Sequence, residues 1–85
     1  MHIGMASIFQ NPYNKTGVSD HSIYQQDLSL ALSAEKLGFE SVWGVEHHFT
    51  DYTMTPDVTQ FLAMVGGACK KVKLGTMVIV LPWND

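Results

Sequence analysis

The chain has 85 residues, 46% of them hydrophobic and 15% charged, with a formal net charge of −3. That length allows one small domain at most. So apolar a composition in so short a chain leaves two readings: a small well-packed α/β domain, or a piece of a larger fold whose other parts cover the apolar faces. The five basic residues are all lysines and form no surface for nucleic acid. The single cysteine, Cys69, excludes an intrachain disulfide and reads as an inert buried thiol. No secretory leader pattern opens the chain, and the longest apolar run, Met77 to Leu81, is far too short to cross a bilayer. A cytoplasmic protein is expected.

Ile3 to Phe9 is short, apolar and β-capable, and predicts a first strand. Gln10 to Asp20 is rich in turn formers, including Asn14 and Gly17. It makes a long connection for a βα unit. Ser22 with Gln25 fits a capping box and predicts a helix running to about Leu37, with an apolar arc of Tyr24, Leu28, Leu30, Ala31, Leu32, Ala34 and Leu37. Asp27 falls inside that arc without an evident reason. Gly38 stands where a left-handed cap is expected.

Phe39 to Val45 predicts the second strand, followed by Glu46-His47-His48-Phe49 and a loop from Thr50 to Thr55. Thr55-Pro56-Asp57 reads as a helix start with Thr55 as its cap. Val58, Phe61, Leu62 and Val65 then repeat at the spacing of one buried helix face. Lys70, Lys71 and Lys73 cluster near that helix's end. Leu74 to Leu81 is almost wholly apolar and suits a parallel strand buried on both faces. Pro82 to Asp85 turns away.

The order is strand, helix, strand, helix, strand, with strand starts about 35 residues apart, and eight such steps would make the roughly 280 residues of a TIM barrel. The fold class is therefore α/β, a parallel βαβαβ segment matching the first three strands of a (β/α)8 barrel. The runner-up is half of an open doubly wound sheet. Strand order separates the two. The expected domain organisation is residues 1–85 as the N-terminal, incomplete part of such a barrel.

Nucleotide-binding glycine motifs are absent, and Glu46-His47 is not part of a zinc-binding HExxH. Neighbouring side chains of an extended backbone point to opposite faces, so His47 and His48 do not readily share a metal. Ligation through Glu46, His48 and a distant third group is the remaining metal reading, and no metal is expected. In parallel α/β folds, sites gather at the C-terminal ends of strands. A histidine there suits acid–base work. The competing reading is a histidine bonded to a loop carbonyl. Alternation puts the two histidines on opposite faces, and which of them faces the cleft stays open at this point. Trp43 and Phe49 read as packing, and His2 and His21 carry no such context.

The segment Gly38-Phe39-Glu40-Ser41-Val42-Trp43-Gly44-Val45-Glu46-His47-His48-Phe49-Thr50 resembles the bacterial luciferase-like monooxygenases. The resemblance continues through Pro56 and resumes in Gly75-Thr76-Met77-Val78-Ile79-Val80-Leu81-Pro82. It implies a TIM barrel that binds reduced FMN or, in one branch, the deazaflavin F420. Oxygen-using members form a flavin C4a-hydroperoxide and insert one oxygen atom of O₂ into a small organic substrate. A separate NAD(P)H flavin reductase supplies their reduced flavin, and a homo- or hetero-oligomer is implied. The family histidine falls on His47 and its neighbouring acid on Glu46, the implied catalytic pair. Flavin contacts fall on Met77 and Val78, which flank a non-proline cis peptide, and on Ala6. The family's phosphate site belongs to later strands. The stretch Asp51 to Asp57 looks more like the hydroxylase-like members, so light emission is not expected. The alternatives are a flavin-binding protein without catalysis, an F420-dependent oxidoreductase of the same family, and a structural or interaction fragment.

Overall fold

The computed structural model describes residues 1–12, 16–48 and 53–83. Asn14, Phe49, the loop residues 50–52 and the terminal pair Asn84–Asp85 lie outside the described residues. The elements are β1 (Gly4–Ser7), α1 (Asp20–Leu32), β2 (Ser41–Gly44), α2 (Val58–Ala68) and β3 (Lys73–Thr76), followed by a 3-10 turn at Leu81–Trp83. The strands form one sheet in the order β1-β2-β3. Both pairings are parallel, with rows such as Ala6–Trp43–Gly75 and Ser7–Gly44–Thr76. This is the barrel order; a doubly wound half-sheet needs β1 in the middle.

Both helices cover one face of the sheet. There Phe9, Ala31, Ala34, Val42, Val58, Phe61, Leu62 and Val65 form the core. The Phe9 ring meets Phe61 edge-on at 4.9 Å and Tyr24 at 5.3 Å, a geometry that suits the ring quadrupoles. Gly44 lets α2 lie close on β2: a Cβ there would fall 2.5 Å from Val58 Cγ2. On the opposite face the Trp43 indole lies over Gly75, whose added Cβ would sit 2.5 Å from the ring. Its Nε1 donates to Ser41 Oγ at 2.8 Å.

Several boundaries differ from expectation. The cap of α1 is Ser19, whose hydroxyl accepts from Ser22 N at 3.2 Å; Ser22 lies inside the helix and donates its own hydroxyl back to Ser19 O. The α-helix ends at Leu32, because the Ser33 hydroxyl bonds Leu30 O and the backbone tightens into turns that close at Gly38, with φ +92°. Leu30, within α1, and Leu37, beyond its end, are both exposed rather than part of a buried arc. The cap of α2 is Asp57 rather than Thr55; its carboxylate accepts from Thr59 N at 3.1 Å. Asp27 accepts from Phe9 N at 2.9 Å, satisfying the backbone where Phe9 takes a positive φ of 54°.

The third strand is the largest correction. It stops at Thr76 and is not buried on both faces: Leu74, Met77, Val78 and Leu81 are all exposed. The last ladder-like bond is Met77 N to Gly44 O at 2.7 Å, after which the chain leaves the sheet.

Candidate functional site at the C-terminal end of the sheet

Beyond β2 the alternation of the strand persists. Gly44 faces α2, and Glu46 returns to that side, 3% exposed. His47 emerges on the other side, exposed, and its backbone N–H donates to Thr55 O at 3.1 Å. This bond pins the outgoing limb of the loop to the limb that enters α2.

Glu46 is bonded in two directions. Its Oε2 accepts from Val58 N, the first residue of α2, at 3.4 Å. Its Oε1 accepts from Val80 N, beyond β3, at 3.0 Å. A carboxylate at a helix N-terminus also meets the favourable end of the helix dipole. His48 lies beside it: Nε2 is 2.8 Å from Pro56 O and 3.5 Å from Glu46 Oε1. Both neighbours are acceptors, so Nε2 carries the proton and donates to the Pro56 carbonyl.

Val80 N reaches Glu46 because the chain bends off the sheet after Met77. The Met77–Val78 peptide is cis, as the family resemblance implies. Glu46, His47, His48, Met77, Val78 and Val80 line one open cleft of about 340 Å³. Four of the five residues expected at the site therefore meet here. The fifth, Ala6, lies on β1 opposite Trp43, on the sheet face away from the helices, and is not part of this lining. His48 and Val80 are lining residues that the sequence reading did not place at the site. The Glu46–Val80 bond has no sequence signal, since it joins a side chain to a backbone amide 34 residues away.

A second cleft, of about 320 Å³, opens between α1 and α2 and includes Phe9, Tyr24, Met54, Thr55 and Phe61. The Tyr24 hydroxyl donates to Met54 O, and burial followed by the nearby Asp20 charge raises its pKa above the ordinary tyrosine value. The Thr53 hydroxyl donates to Ile8 O, and Met54 N to Phe9 O at 2.9 Å. The loops after β1 and β2 are thus stitched together beneath the site. Among the described residues no three or more His, Cys, Asp or Glu side chains gather as a metal-binding set. No helix of the described residues is long and apolar enough to cross a membrane.

The sequence profile described as luciferase-like monooxygenase matches residues 1–85. This chain belongs to that family. Among relatives of the luciferase-like chain, the alkanal monooxygenase alpha chain of Photobacterium leiognathi is 33% identical over 70 residues, covering 82% of this chain and 20% of its own. An uncharacterised protein of Sinorhizobium fredii, y4vJ, is 34% identical over 64 residues, covering 75% and 18%. Among solved structures, the oxygenating constituent of 3,6-diketocamphane monooxygenase from Pseudomonas putida, a type II Baeyer-Villiger monooxygenase in complex with FMN, superposes with a TM-score of 0.77. The superposition covers 96% of this chain and 22% of that one at 22% identity, and so speaks to the fold. The chain spans about a fifth of the length of the relatives it matches.

Proposed function

We propose that residues 1–85 form the opening β-α-β-α-β of a TIM-barrel monooxygenase that uses reduced FMN and O₂ to oxygenate a small organic substrate. The observation that carries this reading is the convergence, in a luciferase-like chain, of His47 with the Met77–Val80 wall at the C-terminal end of a parallel sheet. Sites of (β/α)8 enzymes sit at that end.

The residues suit the ring portion of a flavin. Met77, Val78 and Val80 offer an apolar wall, with Met77 and Val78 exposed, and His47 and Glu46 stand at its polar rim. Among the described residues no lysine lines this cleft, and Lys73 lies at the far end of β3. These residues fit the ring and not its phosphate, which the remaining strands of the proposed barrel would hold. Ala6, on β1 opposite Trp43 and outside the lining of this cleft, is a flavin neighbour on the family resemblance alone. Reduced FMN, when bound, supplies the electrons for oxygen activation; a separate NAD(P)H-dependent reductase would deliver it.

His47 is the residue of this segment placed to move a proton at the cleft. Its backbone is fixed through Thr55 O, while its ring stands on the open side. His48 has its Nε2 proton directed at Pro56 O and holds the loop. The test is turnover by the complete protein with reduced FMN, substrate and isotopically labelled O₂. The expected result is product carrying one atom from O₂. Product oxygen drawn wholly from water would refute the reading.

A further inference from the structure

We infer that Glu46 is a positioning residue that works as an acceptor-only clamp, and that it sets the cleft wall where the flavin is proposed to bind; this rests on the reading above. Its two carboxylate oxygens are used by backbone amides of two different segments. Oε2 takes the N–H of Val58, at the start of α2. Oε1 takes the N–H of Val80, in the stretch that leaves β3 and lines the cleft. One buried side chain at the end of β2 therefore fixes the helix that packs behind the site and the wall in front of it.

The chemistry demands a carboxylate. An ionised carboxylate presents acceptors on both oxygens, whereas a carboxamide presents one acceptor and one donor. Either way a glutamine at 46 is turned, its NH₂ must face an amide N–H. The two donors belong to α2 and to the cleft wall, so relieving one strands the other. His48 adds to this arrangement: with its Nε2 proton on Pro56 O and 3.5 Å from Glu46 Oε1, it brings another donor edge toward the same oxygen.

The internal contrast is Glu35, which accepts from the N–H groups of Lys70, Lys71 and Val72 with one oxygen, Oε1. A glutamine at 35 keeps that acceptor. A glutamine at 46 cannot satisfy both amides.

The experiment compares Glu46→Gln and Glu35→Gln in the complete protein by three measurements: amide hydrogen exchange, reduced-FMN affinity, and the pH profile of turnover. A buried hydrogen bond to a charged group corresponds to roughly a 10- to 100-fold effect. For E46Q, the Val58 or Val80 amide should exchange faster by about that factor, and reduced FMN should bind about 10- to 100-fold more weakly. The pH profile should keep its shape. E35Q should leave flavin affinity unchanged. Loss of one limb of the pH profile in E46Q at unchanged flavin affinity would overturn the proposal in favour of direct proton transfer. Unchanged exchange at both amides would overturn it outright.

The Val58→Pro background provides a second handle. Residue 58 is the first of α2, where proline is tolerated, and Asp57 before it is already extended, at φ −138° and ψ 95°. This variant removes one of the two donors while keeping the carboxylate. Glu46→Gln should then cost flavin affinity several-fold less than it does in the parent. An equal loss in both backgrounds would contradict the clamp. If the parent protein binds no reduced FMN, the functional reading fails, while the exchange measurement still decides whether the two amides depend on the carboxylate.

Discussion

The two ends of this sheet carry the same chemical groups and use them differently. At the N-terminal end His2 Nδ1 lies 3.3 Å from Glu40 Oε2, and both side chains are about half exposed. At the C-terminal end His48 Nε2 lies 3.5 Å from Glu46 Oε1, with the glutamate buried. Exposed pairs of this kind contribute about 0–1 kcal/mol. A buried carboxylate must instead be satisfied by donors fixed in place, and Glu46 is satisfied by amides from two segments. Burial thus turns an ordinary His–Glu contact into part of a device that sets the geometry of a cleft.

The largest expected effect belongs to the C-terminal end. His47→Ala in the complete protein should lower turnover by about 10²–10⁴ and leave reduced-FMN affinity within a few-fold. Rapid mixing of the reduced enzyme with O₂, with product yield measured in parallel, checks this. His48→Ala should act on stability, through loss of the Pro56 bond. Normal turnover in the His47 variant with loss in the His48 variant would reverse the two assignments.

Gly44 joins the site to the core behind it. Gly44→Ala pushes a methyl into Val58 and Phe61. The expected destabilisation is about 1–3 kcal/mol, read from denaturant unfolding, and an unchanged midpoint would show that α2 shifts without cost. Away from the site, Ser19→Ala removes the side-chain acceptor of Ser22 N and should cost about 1 kcal/mol. That loss should appear in unfolding and not in turnover.

The smallest effect is one of pH. The Lys71 N–H, followed by those of Val72 and Lys70, holds the Glu35 carboxyl below its ordinary value of 4.5, against a smaller opposing contribution from desolvation. A native pKa below the unfolded one stabilises the fold at pH above the unfolded value, and the contribution is lost as the pH falls through the native value. Glu35→Gln should therefore lower stability slightly at neutrality and flatten the acid side of a stability–pH curve, with variant and parent converging at low pH. Curves that stay parallel from neutrality through the acid range would show that these bonds do not persist in solution.

The sequence made the helix face of α2 legible because the periodicity of Val58, Phe61, Leu62 and Val65 has one cause, and all four are buried. The stretch from Met77 to Leu81 was misread because apolar residues there have a different cause. Met77, Val78 and Val80 line a cleft after the backbone has left the sheet, while Ile79 packs against the core, and hydrophobicity alone does not distinguish a cleft wall from a strand. Caps were displaced by two or three residues, from Ser22 to Ser19 and from Thr55 to Asp57, because Ser, Thr and Asp all cap and each stretch holds more than one of them. Asp27 and Glu46 were opaque for a shared reason. Each bonds a backbone amide far along the chain, Phe9 N and Val80 N, and such a partner leaves no mark in residue identity. The placement of His47 and Glu46 on opposite sides of the strand end, by contrast, follows from simple alternation carried past Gly44.

The most direct test of the claim that the C-terminal end holds the flavin is a titration of the Val78→Asp protein with reduced FMN. Val78 is 62% exposed and lines the cleft, so the substitution leaves the core untouched while placing a carboxylate against the proposed ring face. Affinity should fall by roughly tenfold or more, because a bound ring would desolvate that charge, with the melting temperature unchanged. Parental affinity in the Val78→Asp protein would contradict the claim.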